Sequence, residues 1–150
     1  MIELQQVCVR IGEQEVLKDI NFKLGSGELL AVIGANGAGK TTFTRGVGKA
    51  LNVEGNISSP TFVIARTHKR EGQPALVHVD AYRLKSPAEL DDLDIPFSNS
   101  IVLVEWGKGL TDGIADNWLE ITIERDSLAI SETRQVKIVG FGQRWAGAKL

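Results

Sequence analysis

The sequence has few of the features that mark secreted or membrane proteins. Its single cysteine, Cys8, cannot form an internal disulfide, and because apolar residues flank it we expect a buried structural thiol. No apolar run approaches the roughly 20 residues that cross a bilayer. The N-terminus has neither the basic start nor the apolar stretch of a signal peptide. We therefore expect a cytoplasmic protein with no membrane partner.

The sequence also lacks a long run of lysine and arginine. The net charge is −2 and the pI is about 5.7, which argues against a protein that binds nucleic-acid phosphates by itself. A short basic cluster at residues 66–70 is typical of a solvated loop rather than an RNA contact. We expect no direct binding to nucleic acid by this chain alone.

What is present fits one compact core. A length of 150 residues with 43% hydrophobic content suits a single domain over residues 1–150. The uninterrupted apolar run 29–33, next to glycines, predicts a strand that is buried on both faces. Apolar and polar residues alternate along half-buried strands. These are 2–11, 16–24, 119–124 and 134–140, the last two pairing as a hairpin.

The remaining elements include two helices. Helical spacing predicts a helix over 41–51, although Gly46 and Gly48 weaken it. Ser86 and Glu89 form a capping box at the start of another helix. Further strands are predicted at 61–67, 75–80 and 101–105, with a turn at 12–14. The fold class is therefore α/β, with mixed strands in the sheet.

A complete P-loop, residues 34–41 (GANGAGKT), follows the apolar strand. It indicates that the α/β fold is a P-loop NTPase-type sheet with mixed strands, in which N-terminal strands precede the P-loop strand. Its glycines let backbone N–H groups converge on an anion, and the following helix directs its positive end at the same point. Lys40 is expected to reach the β- and γ-phosphates of ATP or ADP, and the Thr41 hydroxyl to bind Mg²⁺. The predicted nucleotide-binding residues are Gly34, Ala35, Asn36, Gly37, Ala38, Gly39, Lys40, Thr41 and Thr42.

Two later strands each end in a carboxylate. Strand 75–80 ends in Asp80 and strand 101–105 ends in Glu105. P-loop enzymes use an acid at such a position to hold Mg²⁺ or to orient the attacking water. Which acid serves the metal stays open at this point. His78, inside a strand pattern, is more typical of a core histidine than of a catalytic one.

Four short stretches then carry a family resemblance: 37–46 (GAGKTTFTRG), 59–62 (SPTF), 78–84 (HVDAYRL) and 104–106 (VEW). In this order and spacing, over about residues 37–147, they resemble the TsaE (YjeE) family. Members of that family are small ATPases of the bacterial machinery that makes threonylcarbamoyladenosine, or t6A, in tRNA.

The resemblance implies catalytic roles for Lys40, Asp80 and Glu105, with Thr41 and Glu105 as metal ligands. It also implies that Thr61 is a switch residue near the γ-phosphate and that the Trp106 side chain belongs to the nucleotide site. The alternatives are a threonine at the start of a strand and a core tryptophan.

The first 42 residues resemble a different family. The segments 2–7, 16–22 and 27–34 are similar to the start of an ABC-transporter ATPase. The chain nevertheless lacks the Leu-Ser-Gly-Gly-Gln signature, and Ile11 stands where that family stacks an aromatic ring on adenine. This pattern suggests the hypothesis of a chimera, an ABC-like front (1–42) joined to a TsaE-like body (43–150).

These interpretations lead to two hypotheses about function. The first is a Mg²⁺-dependent ATP-binding protein that hydrolyses ATP slowly and supports t6A modification with TsaD/TsaB-type protein subunits. The alternative is a hybrid scaffold that binds nucleotide without productive turnover.

Overall fold

The fold is a mixed α/β structure. A computed structural model describes residues 2–11, 14–60, 62–125 and 134–148, with side chains from Leu24 onward. Three 3₁₀ turns lie at Ala81–Arg83, Phe97–Asn99 and Gln143–Trp145. The strands and helices, in chain order, are β1 (Ile2–Ile11), β2 (Gln14–Leu24), β3 (Leu29–Ile33), α1 (Lys40–Ala50), β4 (Ala65–His68), β5 (Ala75–Asp80), α2 (Pro87–Asp91), β6 (Ser100–Glu105), β7 (Trp118–Arg125) and β8 (Arg134–Phe141). Strand outweighs helix, which confirms the predicted class.

Six strands form one sheet in the order β4-β5-β6-β3-β7-β8. Strand β3 is parallel to both of its neighbours, β6 and β7, and β5 is parallel to β6. The edge strands β4 and β8 run antiparallel to β5 and β7, as predicted for the β7–β8 hairpin. Because parallel strands end at the same edge of a sheet, the residues that follow β3, β5 and β6 meet there.

The central strand explains the uninterrupted apolar run. Leu30 and Val32 of β3 face a core cluster that includes Phe43 of α1, while Leu29 and Ala31 face a second cluster on the opposite side. Successive side chains of a strand point to opposite faces, so a strand covered on both sides needs apolar residues at every position. The sequence therefore identified β3 correctly.

Helix α1 contains a glycine for a packing reason. A Cβ atom at Gly48 would overlap the Ile57 side chain and lie 3.3 Å from Val53 Cγ2. Glycine normally weakens a helix interior by about 1 kcal/mol relative to alanine. Here it lets the loop after α1 lie directly on the helix.

Strands β1 and β2 form a separate two-stranded antiparallel sheet, with Ile2 opposite Leu24 and Ile11 opposite Gln14. The predicted turn at 12–14 falls largely outside the described residues, since only Gln14 is described. Cys8 lies in β1, and its side chain is outside the described part, so its burial stays a prediction.

Two expectations about residues 60–70 were wrong. Strand β4 starts at Ala65 rather than at residue 61, because the amides of Val63 and Ile64 both donate to the Pro60 carbonyl and form a turn. The basic cluster is also not simply a solvated loop, since His68 belongs to β4 and is only 5% exposed.

The capping box predicted at the start of α2 forms with one changed hydrogen bond. Ser86 Oγ accepts a hydrogen bond from the Glu89 amide, as predicted, but the Glu89 carboxylate accepts from the Lys85 amide, one residue before the cap. Across the described stretches, no helix combines the length and apolar character needed to cross a bilayer.

Candidate functional site

The loop between β3 and α1 has the close packing that a P-loop requires. A Cβ at Gly34 would lie 2.6 Å from the Ile123 carbonyl oxygen and 3.0 Å from Ala38 Cβ, so no larger residue fits. Gly39, the N-cap of α1, has φ 107°, in the left-handed region that favours glycine. These two glycines hold the loop in a conformation that other residues would strain or block.

The N-terminus of α1 is well suited to an anion. No side chain in the described part of the protein caps it, and no acidic residue lies in its first turn. The first N–H groups of a helix lack partners within the helix and carry partial positive charge. A phosphate group is the ligand that such an arrangement favours.

Lys40 lies across the loop. Its Nζ donates to the carbonyl oxygens of Gly34 (2.7 Å) and Ala35 (3.0 Å) and lies 3.6 Å from the centre of the Trp106 ring. Burial lowers the pKa of Lys40, and the negative charges of Glu105 and Asp80 partly oppose that shift. The ammonium group is thus held at the loop between an aromatic face and two carboxylates.

Glu105, the last residue of β6, is the centre of a buried polar cluster. Its Oε2 accepts from the Thr41 hydroxyl (3.1 Å). Its Oε1 accepts from the Thr44 hydroxyl (3.2 Å) and lies 2.8 Å from His78 Nε2. Only 2% of Glu105 is exposed. An ionised carboxylate only accepts hydrogen bonds, so His78 donates through Nε2 if Glu105 is ionised.

Asp80 lies beside Glu105, because the two residues are register partners at the ends of β5 and β6. Its Oδ2 accepts from the Ser59 hydroxyl and its Oδ1 from the Tyr82 amide, each at 3.1 Å. Asp80 is buried, with only 6% of the residue exposed. Two donors therefore fix its orientation toward the cleft.

Trp106 follows Glu105 in an unusual backbone conformation. Its φ is 65°, its amide donates to the Val32 carbonyl (2.9 Å), and its ring meets Tyr82 edge-on at 5.2 Å between centroids. Left-handed backbone is rare for a bulky residue and is often found at functional sites. The turn places the indole face against Lys40, while the half-buried side chain also packs against the second core cluster, so Trp106 serves the core and the cleft together.

These side chains surround a cleft of about 320 Å³. The cleft brings together most of the residues predicted from sequence, and also Ser59, to which the sequence analysis assigned no role of its own. Gly34 and Ala35 lie behind it as acceptors for Lys40, and Ala38 is buried in the core. Thr61 lies outside the described residues, so its role stays a prediction. The lining residues are Asn36, Gly37, Gly39, Lys40, Thr41, Thr42, Ser59, Asp80, Glu105 and Trp106.

Sequence reasoning undervalued two further residues. Thr44 is fully buried and contacts Glu105, and its signal was a position one turn after Lys40 on α1. His78 is a core histidine, as expected, but it also contacts Glu105, which could be inferred only from the register of β5 and β6.

Two arginines near the loop have structural partners. Arg134 of β8 donates through Nε to the Ala38 carbonyl (3.2 Å), which ties the P-loop to the far edge of the sheet. Arg83 donates to the Phe62 carbonyl at the protein surface. Neither residue is among those that line the cleft.

The residues present fit a hard divalent cation. Thr41 Oγ1 and Glu105 Oε2 are two oxygen donors 3.1 Å apart at the N-terminus of α1. Mg²⁺ prefers oxygen ligands and usually takes one or two from protein, completing its shell with water and phosphate oxygens. Within the described stretches, no three His, Cys, Asp or Glu side chains group as a self-sufficient metal site.

Comparisons with known proteins agree with this geometry. The profile of the family described as "Threonylcarbamoyl adenosine biosynthesis protein TsaE" matches residues 10–136. The match begins inside the segment that resembles an ABC-transporter ATPase, so the comparisons do not show that segment to be foreign.

Several curated relatives cover most of the chain. A Streptomyces coelicolor protein named "tRNA threonylcarbamoyladenosine biosynthesis protein TsaE" is 46% identical over 130 residues, which is 83% of this chain and 88% of the relative. The Mycobacterium tuberculosis protein of that name is 42% identical over 135 residues, 83% of this chain and 74% of its own length. The solved structure of Bacillus subtilis YdiB is 29% identical, with a TM-score of 0.61 over 80% of this chain and 72% of that one.

Proposed function

We propose a function from the premise that this chain belongs to the TsaE family of threonylcarbamoyl adenosine biosynthesis proteins. In this proposal the chain binds ATP with Mg²⁺, hydrolyses it slowly and supports t6A modification of tRNA together with partner subunits. The observation that carries it is the meeting of the P-loop Lys40 and Thr41 with Glu105, through a 3.1 Å hydrogen bond at the end of a buried parallel strand.

The chain's own residues divide the work. Backbone amides at the start of α1 and the Lys40 ammonium hold the phosphates, and Thr41 and Glu105 hold the cation. A bound Mg²⁺ would neutralise charge on the β- and γ-phosphates. We assign the water-orienting role to Asp80, because Glu105 is already committed to Thr41 and because both Asp80 oxygens have a fixed donor.

Trp106 excludes water from one side of the site and holds Lys40 by a cation–π contact. When phosphate oxygens are present, the ammonium can exchange its two loop carbonyls for them without leaving the aromatic face. This arrangement favours phosphate recognition, with the nucleoside contributing less.

The test compares binding with turnover. MgADP affinity is measured by calorimetry, and phosphate release from MgATP is measured with wild-type protein, Lys40→Ala and Glu105→Ala. Lys137→Ala, an exposed lysine on β8, is the matched control. We expect Lys40→Ala to weaken binding roughly 10- to 100-fold, since a hydrogen bond to a charged group contributes about 1.5–3 kcal/mol. Glu105→Ala should abolish turnover. Equal rates in all four proteins would refute an ATPase function.

An exposed apolar surface beside the cleft supports the dependence on partners. Phe62 is 95% exposed, and Val63 and Tyr82 are also exposed. Tyr82 touches Trp106, which in turn touches Lys40. Apolar groups of this size on a surface mark sites of protein association. We propose that TsaD/TsaB-type subunits bind here and so sense the nucleotide cleft.

This part of the proposal is tested by reconstitution with those subunits. Phe62→Ser should reduce t6A formation and co-purification of the subunits while leaving MgADP affinity unchanged. Retained co-purification would place the docking surface elsewhere.

The second candidate, a hybrid scaffold that binds nucleotide without turnover, is favoured by one observation. Strands β1 and β2 form an antiparallel pair outside the main sheet. The likeness of the first 42 residues to an ABC-transporter ATPase implies such a pair. The same phosphate-release assay decides between the two, because the scaffold would bind MgADP normally and release no phosphate.

A further inference from the structure

A second and larger cleft lies on the outer face of α1. Its volume is about 630 Å³, roughly twice that of the nucleotide cleft, and it lies between α1 and the loop that follows the helix. Ligand sites for small molecules usually enclose about 300–1,000 Å³. The lining residues are Arg45, Gly48, Lys49, Asn52, Val53, Gly55, Asn56, Ile57 and Ser58.

The walls of this cleft are fixed. The Val53 amide donates to the Gly48 carbonyl (3.1 Å), and Ile57 packs on the bare backbone of Gly48. Below the loop, Arg70 Nε donates to the Leu51 carbonyl (2.7 Å). The loop is therefore anchored at both of its ends and in contact with the helix, so the cleft is part of the fold.

The lining carries positive charge with no carboxylate to balance it. Arg45 and Lys49 are four residues apart on α1 and both are exposed. Arg45 Nε donates to the Ile57 carbonyl (3.1 Å), which holds the guanidinium at the cleft and leaves its terminal amino groups without a partner among the described residues. Lys49 likewise has no side-chain partner in the described part of the chain. Glu54 belongs to the same loop but does not line the cleft.

A third cation and several neutral donors complete the site. Arg66 of β4 donates through Nη1 to the Ser58 hydroxyl (2.9 Å), which brings it to the rim. Asn52 and Asn56 add side-chain amides to the lining. The basic cluster that the sequence placed in a solvated loop thus contributes Arg66 to a concave, polar site.

We propose that this cleft binds a small phosphorylated ligand, one that carries a pyrophosphate or comparable group. Two arginines and a lysine around a pocket match one or two phosphate groups, because arginine forms paired hydrogen bonds with phosphate oxygens. An RNA strand is the poorer match, since stable backbone binding uses about 6–10 phosphate contacts spread along a surface. The overall negative charge of the chain points the same way.

The cleft shares a wall with the nucleotide site. Ser58 lines it, and the next residue, Ser59, donates to Asp80 in the nucleotide cleft. A ligand that holds Ser58 therefore biases the position of Ser59 and of the Asp80 carboxylate. Coupling between two binding sites is reciprocal, so nucleotide in one cleft changes the affinity of the other.

In the experiment, inorganic pyrophosphate is titrated into four proteins in a buffer that contains EDTA, and binding is measured by calorimetry. Wild-type protein should bind at two sites and Lys40→Ala should keep one of them. Arg45→Ala/Lys49→Ala in the Lys40→Ala background should weaken the remaining site by roughly 100-fold, at about tenfold for each lost charged contact. Lys137→Ala in the same background should leave it unchanged. Circular dichroism melts check that each variant is folded.

Each alternative outcome is decisive. Loss of all pyrophosphate binding in Lys40→Ala, or an unchanged second site in the Arg45/Lys49 variant, overturns the proposal. So does an RNA oligonucleotide that binds through Arg45 and Lys49 while pyrophosphate does not. Equal pyrophosphate affinity at this site with and without bound ADP overturns the coupling. Failure of ADP binding in wild type would instead count against the nucleotide site alone.

Discussion

Thr44 offers a sharp test of the buried cluster around Glu105. We consider Thr44→Val, which preserves the shape of the side chain and removes only its hydroxyl. In wild type this hydroxyl lies 3.2 Å from Glu105 Oε1 and 3.1 Å from the Lys40 carbonyl, and the residue is fully buried. A hydroxyl has one proton, so it donates to one of these acceptors at a time or shares the proton between them.

The magnitude follows from what remains after the change. A hydrogen bond to a charged group contributes about 1.5–3 kcal/mol. Oε1 keeps its contact with His78, and the Thr44 hydroxyl divides its one proton between two acceptors, so the expected loss lies near the lower end of that range. We therefore expect a loss of about 1–2 kcal/mol in the free energy of unfolding. For a chain of this length that lowers the Tm by roughly 2–8 °C.

The assay is urea unfolding with thermal melts as a check, and Thr44→Ser is the matched control because it restores the hydroxyl. A second measurement compares the ADP affinity of Thr44→Val in Mg²⁺ and in EDTA. Because a less constrained Glu105 would hold the cation less well, the variant should lose more affinity for ADP in Mg²⁺ than in EDTA. If Thr44→Val were as stable as wild type, or if Thr44→Ser were equally destabilised, the hydroxyl would not support Glu105 and the reasoning would fail.

Three further predictions concern other parts of the site and sheet. Trp106→Leu removes the aromatic face 3.6 Å from Lys40 Nζ and should weaken MgADP binding several-fold in a fluorescence or calorimetric titration, whereas Trp106→Phe should recover part of the loss. The pKa of His68 is lowered, mainly by burial and then by the nearby charges of His78 and Arg66. As the pH falls below about 6.5, His68 is therefore protonated in the unfolded chain before it is protonated in the folded protein, and the free energy of unfolding declines. His68→Leu should lose less of this free energy than wild type between pH 7 and pH 5, as measured by urea unfolding. Gly34→Ala would press a methyl group against the Ile123 carbonyl and should abolish nucleotide binding, or lower the Tm by several degrees, and normal values for both would show that the loop has room to adjust.

Most residues that line the cleft of about 320 Å³ could be predicted from the sequence, because their signals are local. The P-loop glycines, Lys40 and Thr41 occupy adjacent positions, and their chemistry requires that spacing. Asp80 and Glu105 were found because each ends an apolar strand, and parallel strands align their ends. The start of strand β4 was predicted wrongly because a turn between Pro60 and Ile64 precedes it. That turn depends on backbone hydrogen bonds, which the residue types do not predict.

Other features depend on residues that are distant in sequence. The contact of His78 with Glu105 requires the register of two strands, and the turn that aims Trp106 at Lys40 requires the Val32 carbonyl of a third. The second cleft has its shape because Gly48 leaves room for the Ile57 side chain. In the sequence alone, a glycine at this position only lowers the predicted stability of the helix.

The order of residues by itself determined the α/β class, the P-loop motif and the two carboxylates at strand ends, because periodicity and motif spacing are properties of neighbours along the chain. Only the tertiary structure decided which carboxylate faces Thr41 and where the indole of Trp106 points. It also decided that Arg45 and Lys49 line one cleft, with Arg66 hydrogen-bonded to Ser58 at its rim. Those facts depend on strand order and register, which arise from packing the whole chain around β3.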